Sequence, residues 1–263
     1  MDCQIIKNNF KINKEKKIGK VLFIVEGLKT EFILLHKIFK NIFGYTYEKL
    51  DRNGKYRKYS SKINEHSSIF VINTQESNIK FINDSNEYLN NLFEKLIDEY
   101  HFPVDKASIF YIFDRDVKSN TNNELVKGLM DVLTNSRDND GFTRQGLLLL
   151  SYPSIESYTA SNFIPDTYKL EFDTGDLLKN YLHENKIIQN KINEETICFA
   201  VNQMNKYFES IQVNTYDIDN FKDTNLKVFS AQEECYSSFE KYQLLSLLSI
   251  AFIDLGMIEV QEG

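Results

Sequence analysis

The chain has 263 residues, room for one large domain or two small ones, and its 42% hydrophobic content supports a sizeable core. A net charge of -7 gives no support to a non-specific nucleic-acid binder, which is usually basic overall, but it is compatible with a carboxylate site beside a local basic groove. Cys3, Cys198 and Cys235 lie far apart with no CxxC pair, so they imply neither a disulfide framework nor a zinc site, and a reducing cytoplasm is the simplest setting.

Residues 1–19 are polar and basic, lack the apolar stretch of a secretory signal, and read as a tail or an extra strand. Residues 20–26 form the first strand: Val21-Leu-Phe-Ile-Val25 is continuously apolar, Glu26 ends it, and Gly27 lets the backbone turn. Thr30 to about Phe43 has helical spacing, with Phe32, Leu35, Ile38, Phe39 and Ile42 on one face. Residues 45–65 read as an inserted basic β-hairpin with Asn53-Gly54 as a two-residue turn. Its Lys55, Arg57 and Lys58 alternate with Tyr45, Tyr47, Tyr56 and Tyr59, a combination that can neutralise phosphates and stack on bases, or that equally makes a solvated edge.

Ser68 to Asn73 is the second core strand, and a helix capped by Asn83 or Ser85 runs to about Tyr100. Ser108 to Phe113 is the third, followed at once by Asp114-Arg115-Asp116. A helix spans about Asn122 to Leu133, residues 135–144 are loop-like, and Gly146 to Leu150 is the fourth strand, ending in Ser151-Tyr-Pro-Ser-Ile-Glu156. The alternation of apolar strands and helices predicts an α/β domain over residues 20–158, a parallel sheet flanked by helices. Residues 159–263 read as a helical C-terminal region, with helices at Asp176–Asn185 and Glu194–Ile211 and a capping box at Ser230 and Glu233. The apolar run Leu244–Ile253 then reads as a buried helix stopped by Gly256. That run is shorter than the ~20 residues a membrane span requires, so no membrane role is expected.

Glu26, Asp114, Asp116 and Glu156 all fall at or just beyond the carboxyl ends of core strands, where sheets of this kind bind ligands. Mg²⁺, or Mn²⁺ in its place, takes hard oxygen donors together with substrate phosphate. The outer residues of Asp114-Arg115-Asp116 lean the same way and can face one cation with Glu26, leaving Arg115 for structure or phosphate. Glu156 can serve a second cation, and Lys29 can pair with phosphate. Glu31 suits the positive end of the first helix. Ser154 has no histidine partner that would make it a nucleophile, and the four histidines are scattered.

Val25-Glu26-Gly27 together with Phe113-Asp114-Arg115-Asp116 resembles the Toprim domain, shared by topoisomerases, DnaG-type primases, ribonuclease M5 and OLD-family nucleases. The spacing Glu26-Gly27-Leu28-Lys29-Thr30-Glu31 and the stretch Pro153-Ser-Ile-Glu156 are similar to RloB-like proteins of bacterial defence loci, and more distantly to the Toprim nuclease AriB of the PARIS anti-phage system. The resemblance implies a Mg²⁺-dependent nuclease cutting DNA or RNA, with Glu26 as general acid/base or metal ligand, Asp114 and Asp116 as metal ligands, and Glu156 as an additional acid. It also implies an abortive-infection role against phage with a regulatory ATPase from the same locus, and it leaves self-association open. Two other readings stand beside it: a non-catalytic assembly subunit of a defence complex, and an RNA-processing enzyme like ribonuclease M5.

Overall fold

The computed structural model describes residues 2–4, 10–27, 29–73, 79, 86–115, 117, 122–137 and 146–261. The centre is a mixed sheet, built among the described residues from eight strands. In chain order these are β1 (Lys20–Val25), β2 (Thr46–Lys49), β3 (Tyr56–Ser60), β4 (Ser68–Asn73), β5 (Ala107–Asp114), β6 (Thr134–Asn135), β7 (Gly146–Tyr152) and β8 (Leu245–Ser246). Helices are α1 (Thr30–His36, continuing as a π-helical turn Lys37–Ile42), α2 (Asn86–Asp98), α3 (Asn123–Val132), α4 (Glu156–Ser161), α5 (Gly175–Glu184), α6 (Glu194–Ser210), α7 (Lys222–Phe239) and α8 (Leu248–Asp254).

The strands lie in the order β8-β7-β5-β1-β4-β3-β2, with β6 also against β7. β4, β1, β5 and β7 are mutually parallel, whereas β2, β3, β6 and β8 pair antiparallel. This explains the apolar runs: Val21 to Val25 and Leu147 to Leu150 are fully buried because both faces of the parallel centre are covered. On one face, Phe39 of the first helical segment and Tyr158 of α4 both meet Phe252 of α8. On the other, Phe70 packs on Phe102 and Tyr56 stacks on Tyr100, just beyond α2.

Several sequence expectations change here. The hairpin is not an insertion apart from the sheet, because β3 pairs along β4 and extends it. Its connection is longer than a two-residue turn: residues 50–55 link the strands, and the Asp51 carboxylate accepts the Asn53 and Tyr56 amides. Tyr45, Tyr56 and Tyr59 are buried, so they pack the sheet instead of offering faces to solvent. The N-terminal stretch contributes two short strands, Asp2–Gln4 and Phe10–Ile12, which pair with Thr215–Asp217 and Ile258–Val260 instead of the central sheet. Residues 83 and 85, expected as helix caps, lie outside the described residues, as do residues 138–144 of the expected loop.

The C-terminal region is not a separate appendage. Leu244–Ile253 is not one helix; it divides into β8, which completes the sheet beside β7, and α8. One apolar core includes Phe23 of β1, Tyr152 of β7, Phe229 of α7 and Phe252 of α8. Gly256 does follow the last helix, at φ +64°. Ser230 and Glu233 both lie inside α7 and so do not form a capping box. Among the described residues, no helix is long and apolar enough to cross a membrane.

Candidate functional site

The chain enters β1, leaves to form β4 on one side, then returns to form β5 on the other. The carboxyl ends of β1 and β5 therefore flank a point where chain direction reverses, the usual place for a ligand in such a sheet. Glu26 and Asp114 stand there. The Glu26 side chain, 8% exposed, accepts the Asp114 amide through Oε2 at 2.9 Å. Asn73, at the end of β4, fixes the same turn by donating its side-chain amide to the Glu26 carbonyl at 2.6 Å. Asp114 reaches onward, its Oδ1 accepting the Ile155 amide at 2.8 Å. Glu156 is the next residue, and both of its oxygens are held: Oε1 accepts from the Thr30 hydroxyl at 3.3 Å and Oε2 from the Ser154 hydroxyl at 2.9 Å.

Glu31 joins this group. It is 6% exposed, and its Oε1 accepts the Gly27 amide at 2.8 Å. Burial pushes its pKa up, and the charge of Glu156 adds to that, while Lys179 opposes it. Asp114 is held well above the usual carboxylate range, chiefly by burial and then by the charges of Glu26, Glu31 and Glu156. A cleft of about 250 Å³ opens on Glu31, Asp114 and Glu156. Its far wall, Thr174 to Asp176 and Lys179, comes from the start of α5. Gly175 is needed for that approach, because a Cβ there would lie 2.8 Å from the Ser154 side chain.

The structure thus brings Glu26, Asp114 and Glu156 together, while Asp116 lies outside the described residues. Arg115 is not in the cleft. It is 1% exposed and turned into the core, where Nε and Nη2 donate to Glu233 at 2.9 and 3.0 Å and Nη2 also donates to Asn123 at 2.6 Å. Lys29 and Arg57 line neighbouring cavities. Lys58 points to the opposite side of the hairpin, over Phe70 and towards Glu48, and neither it nor Lys55 lines these cavities.

The sequence reading missed Glu31 as a cleft residue, along with the α5 wall. The Gly27-to-Glu31 spacing carries a signal for the first, since a glutamate in a helix's first turn can bond an amide just upstream. Nothing local marks Lys179, which depends on how α5 folds back.

The donor set, hard carboxylate oxygens that repel one another, is chemically suited to Mg²⁺. Among the described residues, however, no three His, Cys, Asp or Glu side chains are arranged to hold a metal ion. Comparisons with protein-family models, curated proteins and solved structures return no match. Fold and site define an α/β protein with a mixed central sheet and a carboxylate cleft at the carboxyl ends of its parallel strands.

Proposed function

We propose that the chain is a Mg²⁺- or Mn²⁺-dependent phosphodiesterase of the Toprim kind, acting on nucleic acid. One observation carries the reading. Glu26 bonds the Asp114 amide and Asp114 bonds the Ile155 amide, so one hydrogen-bonded chain links the acids at the ends of β1 and β5 to the backbone just before Glu156, the first residue of α4. A bound divalent cation would supply charge stabilisation to the phosphoryl group in transfer. Glu26, Asp114 and Glu156, which are not gathered as three ligands as they stand, are the residues that would have to be drawn together to hold it, with Asp116 a further candidate by sequence. Thr30 and Ser154 orient Glu156, and Lys179 on the far wall balances the charge of a phosphate. The anti-phage role, the choice between DNA and RNA, a ribonuclease M5-like processing role and an ATPase partner rest on the sequence resemblance.

The direct experiment is cleavage of DNA and RNA with Mg²⁺ or Mn²⁺ by the wild type and Glu26→Gln. Glutamine retains an oxygen for the Asp114 amide, so the turn is kept while activity falls about 10²- to 10⁴-fold. If both proteins are equally inert with either metal, catalysis is refuted. The net charge of -7 motivates a second reading, a non-catalytic assembly subunit. In that case Asp114→Asn leaves the biological effect intact.

A further inference from the structure

The cleft does not end at Glu156. A cavity of about 460 Å³ shares Thr30, Glu156 and Lys179 with it, and a third, of about 200 Å³, shares Ile33 and Asn190 with the second. The three adjoin through these shared residues, from the carboxylates past α1 to Tyr47 and Arg57 of the hairpin, and we treat them as one groove. Charge changes along it. Glu31, Asp114 and Asp176 line the first cavity, Glu156 and Lys179 stand where it meets the second, the second adds Lys29, and Lys37 and Arg57 line the third. In a chain of net charge -7, this places a cationic path directly beside an acidic centre.

The middle cavity also has an apolar floor. Ile33 is 52% exposed and Ile188 46%, large values for isoleucine, and both line it with Leu182 and Ile187. Arg57 is braced at the far end, its guanidinium 4.1 Å from the centre of the Phe32 ring, and the Tyr47 ring edge meets His36 there.

We propose that this groove is a track for single-stranded nucleic acid, with an unpaired base on the Ile33 and Ile188 floor and backbone phosphates against Lys29, Lys179, Lys37 and Arg57. The inference rests on the preceding reading for the position of the scissile phosphate, and adds the form of the strand. An unpaired strand exposes base faces that an apolar surface can cover. A duplex offers only groove edges and phosphates, and has no use for such a floor.

The test is fluorescence anisotropy of the full chain in EDTA, which separates binding from cleavage. The probes are labelled DNA and RNA single strands of about twelve nucleotides, within the range one binding module covers, and the matching DNA duplex. Single strands of at least one sugar type are expected to bind more tightly than duplex. Lys179→Gln and Arg57→Gln each weaken binding by about five- to tenfold and reduce the slope of log affinity against log salt by about 0.7. Ile188→Asn weakens it by about tenfold, the cost of losing part of an isoleucine's burial, with little change in that slope, since no charge is added. Lys179 and Ile188 are exposed, so these variants keep the fold, with circular dichroism as the control.

Duplex binding as tight as single strand, variants that bind like wild type, or no binding by either single strand each overturn the track. Mg²⁺-dependent cleavage unaffected by these variants removes the track and leaves the phosphodiesterase. Groove binding without cleavage under either metal leaves the track and removes the catalyst.

Discussion

Gly27 and Glu31 are one unit. The glycine amide donates to the glutamate at 2.8 Å, and a Cβ on Gly27 would lie 2.7 Å from the same oxygen. Gly27→Ala therefore displaces a buried carboxylate and is expected to destabilise the fold by about 1–3 kcal/mol. In a Glu31→Ala background, where there is nothing to displace, the same change costs much less; equal costs in thermal unfolding of the four proteins would refute the contact. Asp114 makes a second residue-scale prediction. Its folded pKa is raised by burial and by three neighbouring acids, so the folded state binds more protons than the unfolded one. Stability is then highest below the unfolded carboxylate range of about 4 and declines as pH rises from there through the folded pKa. With chelator present, Asp114→Asn should flatten that decline, since asparagine still accepts the Ile155 amide. Mg²⁺ should raise the melting temperature of wild type more than that of the variant. A variant with an unchanged pH slope contradicts the repulsion.

Arg115 shows how an element is fixed next to a site. Directly after Asp114, its side chain leaves the cleft and joins Glu233 of α7 and Asn123 of α3, with Phe229 and Tyr242 against its guanidinium. α7 thereby anchors the end of β5. Removing the arginine leaves Glu233, whose side chain is 18% exposed, without its ion-pair partner, and Arg115→Met is expected to cost about 3 kcal/mol. Arg115→Met with Glu233→Leu should recover most of the loss, and a double variant as unstable as the single one would show that the pair is not the cause. Sequence alone could not orient Arg115, because its partner lies 118 positions away. Local signals performed better within elements. The apolar runs marked β1, β4, β5 and β7, and helical spacing marked α1, α3, α5 and α6, because each pattern is a local consequence of one buried face. Edge strands were harder: β2 and β3 were read as an excursion, since a hairpin motif does not say which strand it will pair.

At the scale of the whole molecule, three of the four sequence-named acids are joined through one hydrogen-bonded chain, two of them in the cleft, because parallel strands end at the same side of a sheet, a property that follows from strand order and needs no knowledge of the remaining chain. The far wall and, apart from Ile33, the groove floor come from residues 174–190, which polarity and helical spacing alone could not place. The same blindness produced the boundary expected at residue 158. β8 covers one edge of β7 through Leu245 and Ser246, opposite Tyr152 and Ser151, and Phe252 reaches back to Phe39. A fragment ending at residue 158 would uncover the edge of β7 at Ser151 and Tyr152 and remove the ion-pair partner of the buried Arg115, two routes to aggregation and loss of cooperativity. We therefore expect residues 20–158 expressed alone to be insoluble or to melt without a sharp transition, while the full chain unfolds in one calorimetric step. A soluble fragment with a sharp transition of its own would restore the two-part organisation and make the C-terminal helices a separable module. Addition of residues 159–263 in trans would discriminate further: recovery of a single sharp transition on mixing is the outcome required if the two parts form one core.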